Sequence, residues 1–197
     1  MSQPLGRRAA LTASVPINVE STSNEKEFSD FSLILKNDEE IRCHKFILAK
    51  ISPFFSSMLK QDCLETQNNT MKVPDFEPDT VKSFVDFIYG ALEMVPVKED
   101  LYDRNFDKQR LTPELLRMAH MYQAEDMQNI CVKFLKKNIK DSNVVDTWRL
   151  AETIGNDELK AAALVYLGKD PGKLLQVPGL EESFQSPQLV KSLVTPD

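Results

Sequence analysis

The chain has 197 residues, 42% of them hydrophobic and 27% charged, with a net charge of −6, which suits one domain, or one domain with a helical extension, with a substantial core. The acidic balance argues against nucleic acid and anionic membranes as partners, because phosphate contacts need clustered Lys and Arg, and no apolar run approaches the roughly 20 residues that span a bilayer. Cys43, Cys63 and Cys131 are odd in number and widely spaced, which speaks against a disulfide framework and for the reducing cytosol or nucleus.

Residues 1–27 mix small and polar residues with Pro4 and Pro16 and show no helical period, so they read as a flexible leader. Within it, Val15-Pro16-Ile17-Asn18-Val19 is compatible with an edge strand. The segment after Arg7 and Arg8 is too short and polar for a signal core.

From Phe31 the pattern sharpens. Phe31, Leu33 and Leu35 alternate as on a half-buried strand, Asn37-Asp38 supplies turn chemistry, and Ile41 and Cys43 alternate again, which predicts a hairpin. His44 to Lys50, with Phe46, Ile47, Leu48 and Ala49, reads as a short and mostly buried helix. Ser52-Pro53 is a helix start, serine as cap and proline at the first helical position. Phe54, Phe55, Met58 and Leu59 share the face of that helix. Cys63 to Asn69 reads as an exposed polar loop.

Met71-Lys72-Val73 predicts a third short strand. Glu77-Pro78-Asp79 opens a helix in which Val81, Phe84, Val85 and Ile88 fall at i, i+3, i+4 and i+7, with Gly90 as its expected end. Residues 91–112 lose the rhythm and read as a long solvated loop. Thr112-Pro113-Glu114 starts a helix with Leu115, Met118, Ala119 and Tyr122 on one face. Asp126 opens the next, with Met127, Ile130, Cys131, Phe134 and Leu135 as a stripe. The pair forms a helical hairpin around Gln123-Ala124-Glu125. Two more helices follow: one bears Val144, Trp148 and Ala151 and ends near Gly155. The other starts at Asn156-Asp157 and buries Leu159, Ala162, Ala163 and Tyr166. A last serine-capped start stands at Ser186-Pro187.

Catalytic chemistry is not legible. The chain lacks G-x-x-x-x-G-K-[ST], G-x-G-x-x-G and G-x-S-x-G, so nucleotide and hydrolase functions lack their cradle and their elbow. Cys43 and His44 are adjacent, but strand neighbours point to opposite faces, and the pair reads as a buried cysteine beside a hydrogen-bonded structural histidine. His120 has no second histidine at i+4 and reads as a packing or surface residue. Met58, Met118, Met121 and Met127 read as core fillers, as does Trp148. No catalytic residue, metal or cofactor is expected.

The order Phe28-Ser29-Asp30, His44-Lys45, Ser52-Pro53-Phe54-Phe55, Pro78, Phe84 and Ile88-Tyr89-Gly90 resembles the BTB/POZ domain family, and within it the MATH-BTB adaptors typified by the speckle-type POZ protein. The resemblance implies an α+β BTB/POZ fold, a short three-stranded sheet packed with a helical cluster, over residues 28–140. It also implies an all-helical 3-box or partial BACK extension over 141–197.

Those adaptors recruit a cullin scaffold to a ubiquitin ligase. Their cullin-contacting signature, an apolar residue, any residue, then Glu, falls on Cys63-Leu64-Glu65. Phe55 and Tyr122 match the supporting contacts, and Ile47 matches a dimer-contact position. Two departures accompany the likeness: 27 leading residues cannot hold a substrate-binding MATH domain, and Glu20 to Lys26 lacks the leucine stripe of the family's dimerising helix. The expected partners are a cullin, a second copy of the chain and an unknown substrate protein. The competing expectations are a self-associating scaffold or transcriptional co-regulator that meets no cullin, and an adaptor without a substrate module that acts as a competitor.

Overall fold

The structure is a computed structural model that describes residues 28–93, 107–169 and Pro178. Phe31–Leu35 (β1) and Glu40–Cys43 (β2) form the expected antiparallel hairpin, with Leu33 opposite Ile41. Thr70–Val73 (β3) pairs with β1 in parallel, which gives the order β2-β1-β3. The central strand sends Phe31, Leu33 and Leu35 into the core, all at most 3% exposed, as its period of two requires.

Lys45–Ile51 (α1) and Pro53–Met58 (α2) follow the hairpin directly. Composition predicts that α1 is mostly buried, and the structure corrects this. Leu48 alone is fully buried there, whereas Phe46 is 74% exposed. A single helix packed on one side has room for one core stripe, and four consecutive apolar residues must span both faces. At the start of α2, Ser52 caps through Phe55 N–H as its position predicts.

The expected polar loop is a further correction, because Leu64–Asn68 is a one-turn helix (α3). Asn69 ends it in the left-handed region at φ 55°, a conformation that asparagine tolerates better than most residues.

Pro78–Glu93 (α4) carries the predicted stripe, with Val81, Phe84 and Ile88 fully buried. It runs through Gly90 rather than ending there. Glycine stops a helix when it turns left-handed, and Gly155 is the one described glycine with positive φ. Parts of the expected loop over 91–112 are ordered: residues 91–93 finish α4, and Lys108–Arg110 is a 3₁₀ turn capped by Asp107. Residues 94–106 lie outside the described part.

Pro113–Met121 (α5) and Glu125–Lys137 (α6) form the helical hairpin, with Gln123 at φ 54° in its turn. Met118 and Met127 fill the core as expected and Met58 is half-buried, but Met121 is 45% exposed where α5 ends.

Val144–Ile154 (α7) closes on Gly155 at φ 66°, and Asn156 caps Asp157–Gly168 (α8) through Leu159 N–H. The buried face of α8 is Leu159, Ala163 and Leu167, a spacing of four, rather than one through Ala162 and Tyr166. Tyr166 instead donates its hydroxyl to Asp141 at 2.8 Å.

Ala151, Ile154 and Leu159 join the main core, while Val144, Val145, Trp148, Ala163 and Leu167 form a second cluster. The Trp148 Nε1 is buried there without a hydrogen-bond partner. The leader, its expected edge strand and the start at Ser186 lie outside the described residues. None of the described helices is long and apolar enough to cross a membrane.

Candidate functional site

The stretch that connects α2 to β3 is held by side-chain bonds at every turn. Thr66 Oγ1 accepts the Cys63 N–H at 3.0 Å and lies 2.8 Å from both the Gln61 and the Cys63 carbonyls. Gln67 Nε2 donates to Asp62 at 3.0 Å, and Lys45 donates to the Asn69 side chain. A polar segment of this kind forms a helical turn because its first N–H groups find local acceptors. α3 is consequently a fixed turn at the domain surface, with Leu64, Gln67, Asn68 and Asn69 exposed.

Leu64 and Glu65 occupy the first turn of α3, and Leu64 is 71% exposed. The Glu65 carboxylate is held below the usual range by its own backbone N–H and then by the Cys63 side chain. An acid in the first turn of a helix also suits the partial positive charge of the unpaired N–H groups. The signature therefore presents an ionised carboxylate next to an exposed leucine. Cys63 itself is half-buried at the N-cap.

Phe55 and Tyr122, the expected supporting residues, lie in the core. Phe55 is wholly buried and Tyr122 only 4% exposed, so neither ring offers a contact surface. The rings stack on each other at 5.2 Å between centroids, and Phe54, Phe76 and Phe84 pack around Tyr122 at 5.2, 6.2 and 5.6 Å. The reason is helical phase: neighbours on a helix lie about 100° apart, so Phe55 takes the core side while Phe54 packs half-buried at its edge.

Ile47 is half-buried against the main core. The exposed aromatic residues of this segment and of the one before β1 are Phe46, at 74%, and Phe28, at 79%. Asp30 ties their two segments together, since its carboxylate accepts the Lys45 N–H at 2.8 Å and its own N–H reaches the Cys43 carbonyl at 3.2 Å. Sequence reasoning missed both phenylalanines, because apolar composition alone does not say which face of a short helix is left bare.

The Cys43-His44 pair has the structural role expected of it. Cys43 is buried, and burial pushes its thiol up to about 12. Tyr89 Oη accepts the His44 backbone N–H at 3.0 Å and lies 2.7 Å from His44 Nδ1. The two side chains fasten the β2–α1 junction to α4. No group of three His, Cys, Asp or Glu residues able to hold a metal occurs among the described residues.

Among known families, residues 19–139 match the BTB/POZ domain. Kelch-like protein 7 is similar at 30% identity over 131 residues in both Homo sapiens and Gallus gallus, covering 66% of this chain and 20% of each relative. The match thus spans one fifth of the length of these relatives. Among solved structures, the BTB domain of human gigaxonin is similar at 20% identity with a TM-score of 0.41, covering 68% of this chain and 99% of that one. The BTB domain of zebrafish PATZ1 is similar at 19% identity with a TM-score of 0.43, covering 61% and 86%. The Kelch-like relatives carry the BTB/POZ resemblance but lend no support to its finer form, the likeness to MATH-BTB adaptors.

Proposed function

The chain belongs to the BTB/POZ domain family, and from that premise we propose that it is a non-enzymatic adaptor that docks a cullin scaffold of a ubiquitin ligase through α3. The observation that carries this reading is Glu65, an ionised carboxylate on a braced turn at the domain surface, at the position where the cullin-contacting signature requires an acid. A fixed carboxylate beside an apolar side chain is the chemistry of a small hot spot, one group to orient the partner and one to be buried by it. Phe55 and Tyr122 support the surface from behind. Residues 28–140 act as the docking domain in this reading. Residues 141–197, with the separate Trp148 cluster, act as a helical extension.

Replacing Glu65 with lysine reverses the orienting charge without touching the core. The expected result is loss of co-purification with a cullin amino-terminal domain at an unchanged melting temperature; binding retained by Glu65→Lys refutes the reading.

Self-association is a second reading, favoured by the exposure of Phe46 and Phe28. A second copy of the chain is the occupant that a domain of this family would offer to such a surface, and Ile47 would lie at its margin. Light scattering of the purified chain is expected to give a dimer, and Phe46→Asp a monomer. A dimer that forms no complex with a cullin favours the scaffold or co-regulator role over the adaptor. The substrate of such an adaptor would be a separate protein.

A further inference from the structure

We propose that the apolar anchor of the docking turn is Leu64, one residue beyond the position that the signature assigns to Cys63; the inference rests on the cullin-binding reading above. The two side chains face different tasks. Cys63 is the N-cap of α3, with an extended backbone at φ −119° and ψ 170°. Its Sγ is taken up by local partners, 3.9 Å from the Met58 carbonyl and 3.6 Å from Thr66 Oγ1, besides the Glu65 carboxylate that it helps to hold. A thiol that closes its own turn has little apolar surface to give, and a partner that drew it outward would undo the cap.

Leu64 has no such commitment. It is one of five large apolar side chains that stand exposed among the described residues, the others being Phe28, Phe46, Met121 and Val165. A lone exposed leucine is ordinary on a protein surface. What distinguishes Leu64 is its setting, directly beside Glu65 on a backbone fixed by the Thr66 bonds and by the Asn69 N–H to the Glu65 carbonyl. An anchor mounted on a preorganised turn loses little freedom on binding, so more of its burial appears as affinity.

The occupant that fits is a cullin surface with an apolar pocket bordered by a basic or N–H-rich rim. The pocket takes Leu64 while the rim pairs with Glu65. The net charge of −6 suits that complementarity.

The test is a calorimetric titration of the full chain with a purified cullin amino-terminal domain. Leu64→Ala is expected to weaken binding by about ten- to a hundredfold, the scale of one buried leucine side chain. Leu64→Met is expected to restore most of it. Cys63→Ser, which keeps a good N-cap, is expected to stay within about threefold of wild type. Circular dichroism of each variant should match wild type, since neither side chain belongs to the core. Wild-type affinity that survives Leu64→Ala overturns the inference alone, and so does a loss on Cys63→Ser that exceeds the loss on Leu64→Ala. A wild-type chain that fails to bind overturns the cullin reading and the inference with it.

Discussion

Ser52 joins α2 to the end of α5: its hydroxyl donates to the Tyr122 carbonyl while its oxygen accepts the Phe55 N–H. One wholly buried side chain therefore caps a helix and holds the partner turn that carries the Tyr122 ring. The stack of Phe55 on Tyr122 depends on that register.

Ser52→Ala removes the cap and leaves the Tyr122 carbonyl without this donor. The expected cost is about 1–3 kcal/mol, more than a surface cap alone, because the group left behind is buried. Urea denaturation monitored by circular dichroism reads it as a lower midpoint at unchanged slope. A midpoint equal to that of wild type refutes the bridging role.

Stability should fall in alkali. Burial pushes the Cys43 and Cys131 thiols up to about 12 from an ordinary 9.0, and the Tyr89 and Tyr122 hydroxyls up to about 12 from an ordinary 10.0. In the unfolded chain these groups lose their protons near the ordinary values, so above about pH 9 the unfolded state holds fewer protons than the native state. By linkage, the stability that the neutral groups contribute is fully present below about pH 9 and is lost as the pH rises toward about 12. Melting temperatures from pH 7.5 upward should therefore decline steadily above pH 9. The decline should be shallower in Tyr122→Phe, which keeps the ring and removes one titrating group. A flat profile contradicts the burial of all four.

Much of the fold was legible because its signals were local. The period of two in Phe31, Leu33 and Leu35, the caps at Ser52, Thr112 and Asn156, and the stripe from Val81 to Ile88 depend on few residues and on no partner. The misreadings arose where long-range packing decided. Phe46 and Phe55 are equally apolar in sequence, yet one is bare and the other buried, because short helices offer only one core face. The turn at Cys63 to Asn69 read as a loop because its helix has no apolar stripe. Its order comes from Thr66, a residue whose capping role shows only when its neighbours are in place. At the candidate site Glu65 was legible by motif, whereas the inward thiol and the outward leucine required coordinates.

Glu114 offers the last test, since a single carboxylate serves two helices. It lies in the first turn of α5, where a negative charge meets the unpaired N–H groups. One of its oxygens accepts the Glu77 N–H at 3.1 Å, and the other accepts the Thr80 hydroxyl at 2.6 Å, at the opening of α4. The two N-termini would otherwise compete for solvent, and the shared acceptor locks α4 to α5. Glu114→Gln keeps an acceptor oxygen but loses the charge, and should cost a few tenths to about 1 kcal/mol. Glu114→Ala also removes both bonds and should cost about 1–2 kcal/mol. Thr80→Val tests the division between the two roles: combined with Glu114→Ala in a double-mutant cycle, it should add less than its separate effect, because the bond it would break is already gone. Strict additivity in that cycle shows that the Thr80 bond contributes nothing to stability and that Glu114 acts through its charge and its bond to the Glu77 N–H.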